Sequence, residues 1–368
     1  MEACQLNCKI RVLVTGASGY LAAHCVQQLL SLGYTVRGTV RNLANKTKVQ
    51  PLLDLEKHTN SPSGKLELVE ADLNKADSWI SAVDGCHYVL HVASPFPIVA
   101  DESVVNTAIE GTLNVLRACA ASTTVKKVIL TSSCAAINEG HEDENRVFTE
   151  NDWSVVDNKK VLPYARSKTE AERAAWEFVS NLKEGNKFAL TCLNPTFIVG
   201  PILIDTQGTS ITVIRRFMNN EMPATPPLNL ALVDVRDVAK AHILAMGNAE
   251  SDGQRILITS QPSFWFLDIS KILAREFRSQ GYWLPRFQVP YAVVWLYSFF
   301  DSETKQVLDR LNRRIRFDNN KAKTLLYMEY TNPEKSLVDM VYSMIDRGIL
   351  PRKNGNKNLN TSDTIKEK

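Results

Sequence analysis

Short apolar runs recur through the first half of this chain, and stretches with helical spacing lie between them. Ile10–Thr15, Thr35–Val40, Leu66–Val69, Tyr88–Ala93, Lys127–Thr131 and Phe188–Leu193 read as strands. Their apolar character is nearly continuous, as a parallel strand covered on both faces requires. Helical patterns fall at Leu21–Ser31, Lys46–Lys57, Lys75–Ala82, Val104–Ala121 and Tyr164–Leu182. This alternation predicts a doubly wound parallel α/β sheet with right-handed crossovers. After Gly200 the period loosens, and Pro and aromatic residues become denser. Ala231–Val235 and Ile256–Thr259 are expected to return as strands to the main sheet. Phe266–Ser279 and Ser302–Asn312 are expected to be helices of a smaller, interleaved lobe.

The first strand runs into Thr15-Gly16-Ala17-Ser18-Gly19-Tyr20-Leu21-Ala22. Gly16 permits a tight turn, and Gly19 lets backbone N–H groups approach a pyrophosphate at a helix N-terminus. Ala22 holds the third position, which helix packing tolerates. A glycine turn alone says little. Its place after a strand and before an amphipathic helix points to a dinucleotide and a Rossmann-type sheet. Residues 9–200 are therefore expected to form the cofactor domain, with return strands within 228–260. Residues 201–350 are expected to supply most of a substrate-binding lobe.

An NAD-binding chain normally carries Asp or Glu at the end of the second strand. Here that segment is Val36-Arg37-Gly38-Thr39-Val40-Arg41-Asn42. Arg41 stands at the acid's place and Lys48 follows, a pair suited to the 2′-phosphate of NADP(H). Asp72, after the third strand, would accept from the adenine amino group or cap the helix at Lys75. Ala93 and Ser94, ending the fourth strand, would lie beside the cofactor ribose.

Tyr164 and Lys168 are four residues apart, so on a helix they share a face. Pro163 suits the first turn of that helix. A free phenol has a pKa near ~10 and is a poor proton relay at neutral pH. Lys168, with the positive charge of an oxidised nicotinamide, is expected to lower it. Ser133 ends the fifth strand, at the edge where such sheets bind ligands, and its hydroxyl would hold a substrate carbonyl oxygen. Each of these residues alone is commonplace; the glycine turn gives them weight together.

A net charge of +3 gives no argument for nucleic acid. The seven cysteines form neither a disulfide framework nor a Cys-x-x-Cys pair, so reduced thiols and a cytoplasmic location are expected. His87 and His91 fall on a strand, where a spacing of four makes no helical metal pair, and no metal is expected. Cys134 has only its place beside Ser133 to suggest a reactive thiol. A strand pattern already under way by Lys9 argues against a signal peptide. The apolar run 289–300 is shorter than the roughly 20 residues of a membrane span. It is expected to be a buried or pocket-lining helix, ahead of a membrane-surface element. Trp265, Phe266, Trp283 and Trp295 are expected in the lobe's core or an apolar pocket. The polar tail 352–368 is expected to be disordered.

Taken together, these motifs resemble the extended short-chain dehydrogenases/reductases, within the dihydroflavonol 4-reductase-like group that includes cinnamoyl-CoA, phenylacetaldehyde and methylglyoxal reductases. The resemblance runs from Lys9 to Pro351. It is densest in Thr15–Ala22, Tyr34–Arg41, Ala71–Leu73, His91–Pro95, Thr131–Ser133, Tyr164–Lys168 and the Asn194–Pro201 motif. It implies a catalytic triad of Ser133, Tyr164 and Lys168. It implies cofactor contacts at Gly16, Ser18, Gly19, Tyr20, Leu21, Asp72 and Leu73, and a 2′-phosphate clamp at Arg41 and Lys48. Pro195, Thr196, Phe197 and Ser210 would hold the nicotinamide half. Asn138 falls where dihydroflavonol reductases place an asparagine against the flavonoid ring. The implied activity is NADPH-dependent reduction of an aldehyde or ketone on a small, apolar or aromatic molecule, by a monomer or homodimer. A hydroxysteroid dehydrogenase or nucleotide-sugar epimerase would share the scaffold, as would a non-catalytic NADP sensor.

Overall fold

The computed structural model describes residues 7–59, 61, 63–95, 103–143, 145–299 and 308–353. The strands, in chain order, are β1 (Arg11–Val14), β2 (Thr35–Val40), β3 (Lys65–Glu70), β4 (Tyr88–His91), β5 (Lys127–Thr131), β6 (Val147–Phe148), β7 (Ala189–Pro195), β8 (Phe197–Val199), β9 (Asn229–Leu230), β10 (Leu232–Asp234), β11 (Arg255–Ile258), β12 (Phe264–Trp265) and β13 (Arg316–Phe317). Seven of them make one parallel sheet in the order β11-β7-β5-β4-β1-β2-β3. Strand order reverses between β1 and β4, which opens a crevice at the carboxyl ends of those strands.

The apolar runs are continuous because both faces of the sheet are covered. Val12, Val14, Leu90, Ile129 and Ile256 point into a core shared with helices α1 (Tyr20–Ser31) and α2 (Lys46–Lys57). Leu13, Val89, Val128 and Leu130 point the other way, into a core with α3 (Ser78–Val83), α4 (Ser103–Ala121) and α5 (Pro163–Ser180). Alternate residues of one strand thus serve two cores. Pro163 occupies the first turn of α5, as its missing N–H allows.

A separate core belongs to the later lobe. Ile214 and Phe217 of α6 (Thr209–Met218) meet Ile269, Leu273 and Phe277 of the helix after β12, and Leu337, Met340 and Met344 of the helix Pro333–Asp346. The lobe is interleaved with the sheet: α7 (Val235–Gly247) packs on the same core as α1, and β11 becomes the sheet's edge.

Several expectations need correction here. Ile256–Thr259 does return to the main sheet as β11, but the Ala231–Val235 run does not. It forms β10, which pairs with β8 in a separate parallel two-stranded sheet, because Phe197 N already bonds the Ala231 carbonyl as the chain leaves β7. The helix expected at Lys75 begins at Ser78, after a turn in which Asp72 Oδ1 accepts from Asn74 N. Of the helix expected over Ser302–Asn312, residues 302–307 lie outside the described residues, and Leu308–Arg310 is a 3-10 turn. The tail beyond residue 353 also lies outside them.

The largest correction concerns 289–300. Tyr291–Tyr297 is a helix that buries only Val294 and lies on the surface, with Leu296 59% and Phe299 66% exposed. Residue 300 lies outside the described residues. Trp283 and Trp295 are likewise exposed, whereas Phe266 is in the core and Trp265 is half-buried. Among the described residues no helix is long and apolar enough to cross a membrane.

Candidate active site

Because the sheet is parallel, the residues that follow its strands all emerge at one edge. Gly16 follows β1, Arg41 follows β2, Asp72 follows β3, Ser94 follows β4, Ser133 follows β5 and Thr196 follows β7. Most of the residues singled out in the sequence are thus gathered by topology alone.

At one end of the crevice the chain turns through Gly16 at φ +64°, a conformation that disfavours a side chain. A Cβ there would also come within 3.1 Å of Ala93 Cβ. The turn is anchored to β2: Gly16 N donates to Thr39 Oγ1 at 2.8 Å and Ala17 N to the Thr39 carbonyl at 2.9 Å. Gly38 makes this approach possible, since a Cβ on it would lie 2.8 Å from Ala17 Cβ. The glycine fingerprint does not include Gly38; its signal in the sequence is a lone glycine inside an otherwise β-prone strand. Thr15 Oγ1 accepts from Ala93 N at 2.9 Å and shares a hydrogen bond with His91 Nδ1 at 3.0 Å. Burial holds His91 neutral, its pKa down at about 3.

Gly19 opens α1, and no side chain caps that helix. Its first-turn N–H groups and partial positive charge therefore face the crevice beside half-buried Ser18. Leu21 belongs to the core, so its contribution here is its backbone. The Tyr20 phenol donates to the Gly200 carbonyl at 2.6 Å, and so ties α1 to the Asn194–Pro201 motif. Arg41 is exposed and engages no other side chain among the described residues. Lys48 reaches the Asp205 carbonyl at 2.8 Å. Leu73 packs against Gly111, where a Cβ would come within 3.0 Å of its own. The uncapped helix, the glycine turn and the free guanidinium suit an anionic dinucleotide with a further phosphate at Arg41.

At the other end, Ser133 caps the short turn after β5, and that turn packs on Tyr164 and Ala165 of α5. Ser133 Oγ accepts from Ala135 N at 3.1 Å, which fixes its rotamer. Lys168 is buried one turn along α5 and donates from Nζ to Ser94 Oγ at 3.0 Å. Burial brings the Lys168 pKa down to about 8, against the pull of the Glu172 carboxylate. Here the structure departs from expectation. The Tyr164 phenol is not acidified but pushed up to about 12, chiefly by burial, with Ser133 opposing. The Lys168 ammonium lies 6.0 Å from the centre of the Tyr164 ring and is aimed at Ser94 instead.

The residues expected on the nicotinamide side are brought to the same edge. Pro195 ends β7, Thr196 Oγ1 donates to Thr259 Oγ1 at 3.0 Å, Phe197 is half-buried in β8, and Ser210 is buried in the first turn of α6. Asn138 Nδ2 donates to Glu139 Oε1 at 3.2 Å, Glu139 pairs with Arg310 at 3.0 Å, and Asn138 Oδ1 is buried without a partner. Burial raises the Cys134 thiol to about 12, so it is no thiolate nucleophile at neutral pH.

Fold and site together define a dinucleotide-dependent oxidoreductase. The sequence model of the 3-beta hydroxysteroid dehydrogenase/isomerase family matches residues 13–271. The chain is 38% identical over 257 residues to cinnamoyl-CoA reductase CAD2 of Medicago truncatula, spanning 67% of this chain and 75% of that one. It is 31% identical over 354 residues to dihydroflavonol 4-reductase of Arabidopsis thaliana, spanning 93% and 84%. The solved structure of Gre2 from Candida albicans in complex with NADPH superposes with a TM-score of 0.73 at 32% identity, over 92% of this chain and 99% of that one. The chain belongs to this family, among the dihydroflavonol 4-reductase-like members of the extended short-chain dehydrogenases/reductases.

Proposed function

We propose that this protein reduces an aldehyde or ketone on a small, apolar or aromatic molecule to the alcohol, through Ser133, Tyr164 and Lys168. It is an NADP-dependent oxidoreductase, and its relatives include a cinnamoyl-CoA reductase, a dihydroflavonol 4-reductase and an NADPH-bound Gre2. The bound cofactor supplies the hydride, from the nicotinamide C4. The protein supplies position, charge and the proton.

In this reading the α1 N-terminus and the Gly16–Gly19 turn hold the pyrophosphate. Arg41, and Lys48 once it leaves the Asp205 carbonyl, hold the 2′-phosphate. Asp72 and Leu73 border the adenine. Ala93, Ser94 and Lys168 border the ribose, and Pro195, Thr196, Phe197 and Ser210 support the nicotinamide half. Ser133 and Tyr164 hydrogen-bond the carbonyl oxygen. As the carbonyl carbon accepts hydride, that oxygen becomes basic and takes the proton from Tyr164 Oη. Burial keeps the Tyr164 phenol protonated at rest, and the Lys168 ammonium with the positive charge of an oxidised nicotinamide would ease the loss of its proton. Lys168 orients the ribose and restores the proton to Tyr164. Asn138, beside Ser133, is assigned to the substrate side.

The observation that carries this reading is the convergence at the sheet's carboxyl edge of Ser133, capping the turn after β5 that packs on Tyr164 and Ala165, with Tyr164 and Lys168, one turn apart on α5. The test is loss of NADPH absorbance, with NADH in parallel, against aldehydes, α-dicarbonyls, aromatic ketones and steroids. Turnover with NADPH and little with NADH supports the proposal. Turnover only of a steroid or nucleotide sugar with NAD(H) would replace it with a hydroxysteroid or epimerase reading. Tight NADPH binding without turnover would favour a sensor.

A further inference from the structure

Beneath the site lies a buried charge that the reaction does not touch. Glu172 is one turn beyond Lys168 on α5 and only 1% exposed. Its carboxylate accepts from Ser132 Oγ at 2.5 Å, Asn194 Nδ2 at 2.8 Å, Trp176 Nε1 at 3.3 Å and Arg255 Nε at 2.6 Å. Arg255, on β11, is itself buried. It donates from Nη1 to the carbonyls of Glu150 and Asp152, both at 2.7 Å, and stacks 3.6 Å over the Trp153 ring. A buried ion pair is often no more stable than apolar residues of the same volume, so stability alone explains this one poorly.

Two connections lead from Glu172 into the site. The first is through Asn194, whose Nδ2 also donates to the Ser133 carbonyl at 3.1 Å. The second is through space: Glu172, Lys168, Ser94 and Ser132 line one partly open cavity of about 10 Å³, room for about one water molecule. We propose that Glu172, paired with Arg255, is the positioning residue of this site. One carboxylate holds Ser133 in place through Asn194 and supplies the counter-charge for the buried Lys168 amine.

This rests on the reductase reading, in which Lys168 acts as an ammonium. Burying a lysine disfavours that form. Among the described residues the groups facing it are few. Glu172 and Tyr164 lie on its own helix, neutral His91 and Ser94 come from β4 and its end, Thr131 and Ser132 from the end of β5, and uncharged Thr112 from α4. Arg255 lies beyond Glu172, on β11. Glu172 is the one anion among these groups.

The test uses the apo protein. Competitive acylation of amines across a pH series, with the Lys168 peptide followed by mass spectrometry, gives the pH at which Lys168 loses its proton. In Glu172→Gln this pH should fall by about one unit. In the doubly neutral Glu172→Gln/Arg255→Gln variant it should fall less, but in the same direction. Glu172→Asp, which keeps the charge, should titrate between wild type and Glu172→Gln. At pH 8 the Glu172→Gln enzyme should lose about tenfold in kcat/KM and recover part of it towards pH 6. If Glu172→Gln does not fold, the other two variants decide. A Lys168 titration that stays where it is in every folded variant would overturn the proposal. Labelling needs no turnover, so this outcome is distinct from a failure of the Tyr164 chemistry.

Discussion

The parallel sheet and the later lobe treat similar apolar sequence in opposite ways. Leu90 and Ile129 are fully buried, whereas Leu296, within an equally apolar stretch, is 59% exposed. In the sheet, crossover helices cover both faces, so a continuous apolar run has nowhere to be but inside. The seven-residue helix Tyr291–Tyr297 has one face on the protein and turns only Val294 inward. Apolarity predicts burial only where topology supplies cover. Short apolar runs outside a repeating architecture carry no such guarantee.

This contrast places function and stability mainly in the sheet half, and substitutions can break or sharpen it. The largest effect is expected at Tyr164. Tyr164→Phe should cut kcat by about 10³-fold while NADPH affinity stays within about tenfold, read by steady-state kinetics and fluorescence titration. Retained turnover would move the chemistry elsewhere. Next comes the sheet core: Leu90→Ala should cost about 2–5 kcal/mol in urea unfolding. A loss below about 1 kcal/mol would mean that the two regions are less different than their burial suggests.

The third prediction concerns acid. His242, His91 and His24 are buried in or against the sheet half, with pKa values lowered by burial to about 4, about 3 and about 4. Unfolded, each titrates near ~6.5. Between these values the unfolded chain binds more protons than the folded one, so stability rises with pH across this window. The contribution is complete above about 6.5 and is lost as pH falls towards the folded values. Moving from pH 7 to pH 5 should cost roughly 2 kcal/mol for each of these histidines in chemical denaturation. His242→Gln should flatten the slope. An unchanged slope would show that His242 is not among the groups responsible.

Arg41→Ala should raise the KM for NADPH about 10- to 100-fold and that for NADH less than about threefold, from loss of a charge-assisted phosphate contact. Equal loss with both cofactors would remove the clamp. The smallest effect is expected in the lobe's surface helix. Leu296→Ser should leave stability within about 0.5 kcal/mol of wild type and cofactor affinity unchanged. A larger loss would mean that this helix is covered in solution.

Much of the sheet half is legible in the sequence. Thr35–Val40, Lys46–Lys57 and Lys127–Thr131 fall where the periodicity puts them, and the other sheet elements differ by a few residues at their ends. The glycine turn and the Tyr164–Lys168 pair are legible too, because each depends on short-range spacing. Gly38 is not, since its importance lies in how closely Ala17 approaches from another segment. Glu172 and Arg255 lie 83 positions apart, and nothing local marks either one. The Tyr164 phenol goes the other way from expectation, because a spacing of four fixes a shared face but not where the Lys168 amine points. It points at Ser94, 74 positions away in the chain.

The sequence by itself determined the alternation of strand and helix, and with it a parallel sheet whose strand ends gather Gly16, Arg41, Ser94, Ser133 and Thr196 at one edge. Local propensity and right-handed crossovers are enough for that. Tertiary structure alone decided that β10 pairs with β8, that Tyr20 bonds Gly200, that Glu172 stands under Lys168, and that the 291–297 helix lies outside. Each of these depends on contacts between distant segments competing for the same surface, and on burial that shifts charges, which no window of the sequence contains.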